Sequence, residues 1–190
     1  MNGAALKCAI RALGRVLGQG ILSLVVTLTF PVAHAGTEFT FDAPRERLLA
    51  PGFQLPDLGE TPTGLEDYQG KIVLLHFWAT FCTPCLEELP ALESLWRRYR
   101  ERGFVIVGIA ADRGSADVVR KFADAAGVTF PVLLDPEGVV RKRYEVVALP
   151  MSYLIGRDGR FSARILGSRN WQDGTRPVSP GFLNCGLKRA

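Results

Sequence analysis

The stretch KIVLLHFWATFCTPCLEELP, residues 71–90, decides the fold of this chain. Its first nine residues, 71–79, form a continuous apolar run with β-branched and aromatic members, which predicts a buried central strand. Apolar side chains then recur at steps of three and four from Pro84 to Arg102, which predicts an amphipathic helix. Pro90, inside that helix, predicts a kink or a local break. A buried strand that leads directly into a helix is typical of an α/β domain.

Segments with the patterns of strands and helices alternate along the rest of the domain. In chain order, the sequence predicts a short strand with turns (50–70), a strand (104–111), a helix (115–126), a strand (130–135), a short helical crossover (136–146) and a hairpin (151–167). Asp158 and Gly159 supply the turn of that hairpin. This order predicts the fold class α/β, with one central mixed β-sheet flanked by helices.

The composition is typical of a folded globular protein. The chain has 190 residues, of which 47% are hydrophobic and 22% charged, with 20 glycines and 12 prolines. These proportions exclude wholesale disorder, collagen and coiled coil, and the length leaves room for one ordinary domain. Only one long apolar stretch exists, near the N-terminus, so a polytopic membrane protein is excluded as well.

That apolar stretch has the three parts of a secretory signal peptide. Three basic residues and no acidic residue precede it, residues 21–33 are strongly apolar, and the sequence AHA at 33–35 places small residues before a cleavage site. A membrane anchor needs about 20 apolar residues, more than this segment offers. We therefore expect residues 1–35 to be a cleaved signal peptide, with an anchor in the inner membrane, facing the periplasm, as the alternative.

Export would place the protein in the periplasm or another extracytoplasmic space, where disulfides persist. Without residues 1–35, 20 basic residues face 19 acidic ones, so no basic excess remains to bind nucleic acid. His76 is then the only histidine, and Cys82, Cys85 and Cys185 are the remaining cysteines. The expected organisation is a signal peptide (1–35), a flexible lead-in (36–49), a folded domain (50–171) and an atypical C-terminal tail (172–190).

The motif Cys82-Thr83-Pro84-Cys85 lies where the predicted strand ends and the helix begins. At a helix N-terminus, free backbone N–H groups and the helix dipole stabilise a thiolate, the form that attacks disulfides. Two intervening residues keep the second thiol within reach, so that one thiol can attack and the other can resolve. Pro84 is tolerated in the first turn because its missing N–H would have no helical acceptor there. The motif therefore predicts a redox-active dithiol.

Three other uses of these cysteines compete with redox chemistry. A structural disulfide would suit an exported protein, but the placement at a helix start favours reactivity. A zinc site is poorly supplied with ligands, since His76 lies in the strand and Cys185 is remote in sequence. A peroxide-reducing thiol would have Thr three residues before it and Pro seven before, where this chain has Ala79 and Leu75.

The sequence FWATFCTPCLEELP, residues 77–90, resembles the active-site motif of the TlpA/ResA-like proteins, which are extracytoplasmic thiol–disulfide oxidoreductases with a thioredoxin fold. The resemblance continues through APGFQLPDL, VIVGIAAD, FPVLLD, LPMSYLIGRDGR and GSRNW, and so covers residues 50–171. It implies a thioredoxin-like domain, a dithiol–disulfide cycle, and protein thiols and disulfides as substrates. The cycle needs only the two sulfurs, so we expect no metal or other cofactor. Members of the family serve cytochrome c maturation and copper-site assembly, and a membrane-borne electron donor reduces them again.

The resemblance also implies roles for individual residues. Cys82 matches the nucleophile and Cys85 the resolving thiol. Pro150 matches the cis-proline that faces the dithiol, and Glu88 matches the acid of the family's CxxE pattern. Without the resemblance, Glu88 would count as a solvated helix side chain, no better placed than Glu87.

The chain departs from the family at several positions. Phe81 stands where Trp is common, and Leu149 stands where small or hydroxyl residues are more usual. His76 occupies a position that often carries Asp or Asn, and it is either a core histidine or the proton acceptor for Cys85. The family continues into a helix after the position of Trp171, but the tail of this chain is rich in Pro and Gly and predicts none.

We therefore expect an exported, monomeric thiol–disulfide oxidoreductase that reduces protein disulfides. The alternative is a copper metallochaperone, because the thiolates of Cys82 and Cys85 together with His76 would suit Cu(I). A redox-inert binding module is disfavoured because both cysteines are intact. Glycine patterns that bind phosphate or dinucleotides are absent from the sequence, so we expect no nucleotide or flavin cofactor.

Overall fold

The structure is a computed structural model and describes residues 41–42 and 48–171. Its strands are β1 (Phe41–Asp42), β2 (Gln54–Pro56), β3 (Pro62–Gly64), β4 (Ile72–Trp78), β5 (Phe104–Ala110), β6 (Val132–Leu134), β7 (Met151–Ile155) and β8 (Phe161–Leu166). Its α-helices are α1 (Thr83–Tyr99), α2 (Ala116–Ala125) and α3 (Val139–Arg143). The predicted signal peptide and C-terminal tail lie outside the described residues.

Six strands form one mixed sheet in the order β1-β8-β7-β4-β5-β6. β5 is parallel to both β4 and β6, whereas β7 is antiparallel to both β4 and β8. Parallel neighbours need a crossover connection, which α1 supplies between β4 and β5 and α2 supplies between β5 and β6. β2 and β3 form a separate antiparallel pair. The predicted class, α/β with a central mixed sheet, is confirmed.

The side chains of β4 divide the core between the two faces of the sheet. Leu74 and Trp78 pack in a cluster with residues of α1 and α2, whereas Leu75 and Phe77 pack in a second cluster with residues of α3. Every residue of β4 and β5 is buried, as expected for central strands covered on both faces. Side chains two apart in a strand point the same way, so His76 faces α1 together with Leu74 and Trp78.

The longer elements agree with the sequence predictions, with small differences at their ends. Helix α1 continues through Pro90 without interruption, so no break is found there. The helix tightens after Tyr99 into a 3-10 turn, which Gly103 ends in the left-handed conformation with φ 75°. Ser115 caps α2 by accepting the backbone N–H of Asp117.

Three short strands differ from the sequence predictions. β1 lies within the predicted lead-in and pairs antiparallel with β8. The region expected to hold one strand with turns contains two, β2 and β3. These strands have two or three residues each and lie outside any apolar run, so they show too little alternation to be recognised in the sequence. Within residues 41–42 and 48–171, no helix has the length and apolar character needed to cross a membrane.

Candidate active site

A disulfide joins Cys82 to Cys85 at the N-terminus of α1. Cys82 is the N-cap residue, with φ −98° and ψ 94°, and its Cα lies 5.3 Å from that of Cys85. Thr83 and Pro84 fill the first turn between them, and both are exposed. Cys82 is partly exposed, whereas Cys85 is fully buried in the cluster under α1. The fold thus presents one sulfur to the surface and encloses the other.

The turn that precedes Cys82 is held by Asp112, which follows β5. Cys82 donates its backbone N–H to the carbonyl of Ala79 (3.1 Å), which closes a tight turn through Thr80 and Phe81. Thr80 donates its backbone N–H to the carboxylate oxygens of Asp112 (3.2 and 3.1 Å) and its hydroxyl to Oδ1 (2.5 Å). The carboxyl ends of parallel β4 and β5 meet at one edge of the sheet, which brings these groups together. Phe81 is 72% exposed beside the disulfide.

Pro150 lies at the same edge of the sheet as the disulfide. The Leu149–Pro150 peptide bond is cis, as the resemblance implied. β7 begins at the next residue, Met151, which pairs with Phe77 near the end of β4. Because β7 runs antiparallel to β4, the start of β7 and the end of β4 are neighbours.

His76 is completely buried on the α1 face of the sheet. Its Nδ1 lies 2.9 Å from Oγ of Ser152, which is its partner in the register of β4 and β7. Its Nε2 has no hydrogen-bond partner and lies 3.8 Å from Oε1 of Glu88. Burial lowers the pKa of His76 to about 3, because it penalises the charged imidazolium. His76 is therefore neutral near pH 7, and its contact with Glu88 is not an ion pair.

Glu88 is buried in α1, with only 4% of its surface exposed. It follows Cys85 by three residues, which puts the two side chains on one face of the helix. Oε2 of Glu88 accepts the backbone N–H of Arg169 (2.9 Å) and the indole N–H of Trp171 (3.1 Å), whereas Oε1 has no hydrogen-bond partner. Burial raises the pKa of Glu88 to about 7, and the two hydrogen bonds and the charge of Arg169 offset only part of this effect.

The structure distinguishes Glu87 from Glu88, which the residue pattern alone left equivalent. Glu87 is exposed, while Glu88 points into the core beside His76. The predicted residues Cys82, Cys85, Pro84, Pro150, His76 and Glu88 all lie at or beneath one edge of the sheet.

Four contributors to the site were not predicted from the sequence: Asp112, Ser152, Arg169 and Trp171. Ser152 could have been found from the register of β7 against β4. Trp171 stands in the GSRNW segment of the resemblance, but it is far from Glu88 along the chain, so its contact with Glu88 has no local signal in the sequence. In the described part of the chain, no group of three or more His, Cys, Asp or Glu side chains could hold a metal ion.

Comparison with known proteins places this geometry in a family. The model of the AhpC/TSA family matches residues 48–163. The thiol-disulfide oxidoreductase ResA of Bacillus cereus is 35% identical over 159 residues, which are 84% of this chain and 90% of that protein. The thioredoxin-like protein YneN of Bacillus subtilis is 40% identical over 116 residues, 60% of this chain and 68% of that protein.

Solved structures agree with these relatives. A thiol:disulfide interchange protein of the thioredoxin family from Chlorobium tepidum superposes with a TM-score of 0.63 at 26% identity, over 76% of this chain and 99% of that one. The thioredoxin domain of a thiol-disulfide oxidoreductase from Bacteroides vulgatus superposes with a TM-score of 0.62 at 25% identity, over 69% of this chain and 95% of that one. The chain therefore belongs to the AhpC/TSA family and is a thiol-disulfide oxidoreductase of the ResA type, with a thioredoxin-like fold.

Proposed function

We propose that this enzyme is an exported reductant of protein disulfides in which Cys82 attacks and Cys85 resolves. The observation that supports these roles is the difference in exposure between the two sulfurs. A protein substrate can approach a sulfur at the surface, while a resolving sulfur needs to reach only its neighbour. The N-cap position of Cys82 supports its role further, because the start of α1 stabilises a thiolate.

The reaction has two exchange steps. The Cys82 thiolate attacks one sulfur of the substrate disulfide, forms a mixed disulfide and releases the other sulfur as a thiolate, which takes a proton from water. Cys85 then loses its proton and attacks Sγ of Cys82, which breaks the bond to the substrate and releases its second thiolate. The substrate gains two electrons, and the enzyme ends with the Cys82–Cys85 disulfide. A membrane-borne dithiol donor returns the two electrons.

Glu88 is the group that we propose receives the proton of Cys85. It lies one helical turn from Cys85, and its pKa of about 7 suits proton transfer near neutral pH. The pKa of about 3 makes His76 a weak base, which argues against the imidazole as the acceptor. His76 instead supports Glu88 by filling the space in front of Oε1 without adding a charge.

Three residues around the disulfide support the exchange in other ways. Pro84 fits the first turn of α1, where a backbone N–H would have no helical acceptor. Pro150 lies on the sheet edge that a substrate must approach, beside the half-buried Leu149. The exposed ring of Phe81 offers an apolar surface to the substrate polypeptide next to the attacking sulfur.

A copper metallochaperone is the second candidate, and the geometry supports it less well. Cys82 and Cys85 would supply two soft ligands for Cu(I). The third expected ligand, His76, is completely buried, with Nδ1 in contact with Ser152 and Nε2 facing Glu88. In the residues that the structure describes, no other side chain completes a set of three.

The proposed setting of the enzyme follows from the sequence. Residues 1–35 would direct export to the periplasm or another extracytoplasmic space, residues 36–49 would be the lead-in, and residues 172–190 would follow the thioredoxin-like domain at 50–171. Cytochrome c maturation or copper-site assembly would supply the protein substrates, and the enzyme would act on them as a monomer.

The two cysteine roles are tested by trapping. In a Cys185→Ser background, which removes the other cysteine of the exported chain, Cys85→Ser should accumulate mixed disulfides with substrate proteins because nothing resolves them. Cys82→Ser should accumulate none and should lose all disulfide reduction. The measurement is mass spectrometry of adducts after acid quenching, with dithiothreitol release as the control. Adducts formed through Cys85 in the Cys82→Ser protein would reverse the assignment.

A further inference from the structure

Residues 167–171, which follow β8, join the end of the sheet to the helix that carries the disulfide. The backbone N–H of Arg169 and the indole N–H of Trp171 both donate to Oε2 of Glu88, at 2.9 and 3.1 Å. Trp171 is 7% exposed and packs in the same cluster as Cys85. Its ring is therefore held by the core, and its single donor is directed at one carboxylate oxygen.

This arrangement makes the two oxygens of Glu88 unequal. A proton added to Oε2 would compete with two N–H donors that already occupy that oxygen. Oε1 has no hydrogen-bond partner and faces Nε2 of His76, which also has none. The Ser152 hydroxyl at Nδ1 can donate or accept, so neutral His76 can adopt either tautomer. Oε1 is thus the oxygen that is free to gain or lose a proton.

We propose that Trp171 is a positioning residue for the resolving step: with the backbone amide of Arg169, it holds Glu88 so that Oε1 receives the proton that Cys85 gives up. The inference rests on the proposed roles of Cys85 and Glu88. In this step the Cys85 S–H bond breaks, an O–H bond forms at Oε1, and the sulfur electron pair forms the bond to Sγ of Cys82. The bond to the substrate breaks, and the substrate leaves as a thiolate.

The charged groups around Glu88 determine how its pKa should change when the indole donor of Trp171 is removed. Among the residues that the structure describes, the titratable or charged groups facing Glu88 are His76 on β4, Arg169 after β8 and Cys85 on α1 itself. His76 is neutral, so the carboxylate depends on Arg169 and on the two N–H donors to offset its burial. Loss of the indole donor should disfavour the carboxylate and raise the pKa of Glu88 above about 7.

The test is a pH titration of the oxidised protein, which needs no substrate. Carboxyl 13C NMR of side-chain-labelled glutamate should show that Trp171→Phe raises the midpoint of Glu88 by about one pH unit. Single-turnover resolution of a mixed disulfide should shift its pH midpoint in the same direction. Trp78→Phe is the matched control, because the Trp78 indole is also buried, in the same cluster, but its N–H has no hydrogen-bond partner. That variant should leave the Glu88 midpoint unchanged.

A second measurement follows the indole of Trp171 itself and leaves that residue unchanged. In the wild-type protein, the indole 15N–H resonance of Trp171 should titrate with the same midpoint as the Glu88 carboxyl, and Glu88→Gln should abolish that titration. Equal Glu88 midpoints in wild type and Trp171→Phe, or an indole resonance that ignores Glu88, would overturn the inference. Failure of the proposed function would show separately, as an absence of trapped adducts in Cys85→Ser.

Discussion

Glu88 and His76 place two ionisable groups in the core, and their effects on stability have opposite dependence on pH. The folded-state pKa of Glu88, about 7, lies above its ordinary value of 4.5, so its stabilising contribution is present below pH 4.5 and is lost as the pH rises through 7. The folded-state pKa of His76, about 3, lies below its ordinary value of 6.5, so its contribution is present above pH 6.5 and is lost as the pH falls through 3. Burial of Glu88 therefore lowers the free energy of unfolding at high pH, and burial of His76 lowers it at low pH.

The contribution of Glu88 can be isolated with Glu88→Gln. Between pH 4.5 and pH 8, the free energy of unfolding of the wild type should fall relative to the variant by on the order of 3 kcal/mol, because only the wild type must bury a carboxylate. Urea unfolding of the oxidised proteins at several pH values measures the difference. Glu87→Gln, at the exposed neighbouring position, should follow the wild-type curve. Parallel curves for all three proteins would mean that Glu88 does not titrate in this range.

Single residues differ in how far the sequence reveals them. Cys82 and Cys85 are evident because their chemistry needs a fixed local spacing at the start of a helix. Glu88 is one of two adjacent glutamates, and only the direction of α1 against the sheet decides which of them is buried. Trp171 reaches Glu88 only in the folded chain, so no local sequence pattern could have shown their hydrogen bond.

At the scale of elements, the site depends on how β4 passes into α1. The turn between them is held by a residue of another element, because Thr80 donates its backbone N–H and its hydroxyl to Asp112, just after β5. The neighbouring parallel strand thus holds the segment that presents Cys82. The hydrogen bonds from Thr80 to Asp112 link the position of the Cys82 sulfur to the pairing of β4 with β5.

Asp112→Ala tests these hydrogen bonds. Loss of the carboxylate leaves the Thr80 N–H and hydroxyl without their acceptor, which should lower the free energy of unfolding by about 1–3 kcal/mol and slow disulfide reduction. Asp112→Asn keeps one acceptor oxygen, so its free energy of unfolding and its rate of disulfide reduction should both fall less than in Asp112→Ala. Urea unfolding and insulin reduction assays measure the two effects. Wild-type stability and rate in Asp112→Ala would show that water replaces the Asp112 carboxylate at no cost.

The length of an element determines how well its sequence predicts it. β4, β5, α1 and α2 each span seven or more residues, and their positions were predicted correctly: the two strands are continuous apolar runs, and the two helices repeat apolar residues at steps of three and four. β1, β2 and β3 have two or three residues each, and they form because partner strands offer free backbone groups. Pairing of that kind is a property of the folded chain and leaves little trace in local sequence.

At the scale of the whole molecule, the fold assembles the site from parts that are distant in sequence. The end of β4, the start of β7 and the end of β5 meet at one edge of the sheet, and the segment after β8 reaches Glu88 from the same side of the sheet as α1. The carboxylate of Glu88 lies one turn from the buried sulfur of Cys85. A negative charge there opposes a second one on that sulfur, so it disfavours the reduced, thiolate form.

The redox potential of the Cys82–Cys85 pair measures how stable the reduced form is relative to the disulfide in the intact enzyme. Thioredoxin-fold proteins span from about −270 mV for a reductant to about −120 mV for an oxidant, and the proposed reductant should lie near the lower end. Equilibration of the Cys82–Cys85 pair with glutathione measures the value. Glu88→Gln should move the potential at pH 8 to a less negative value, because it removes the charge that opposes a thiolate, whereas Glu87→Gln on the exposed face should not. A wild-type potential near −120 mV would overturn the direction of electron flow proposed for this protein while leaving its exchange chemistry intact.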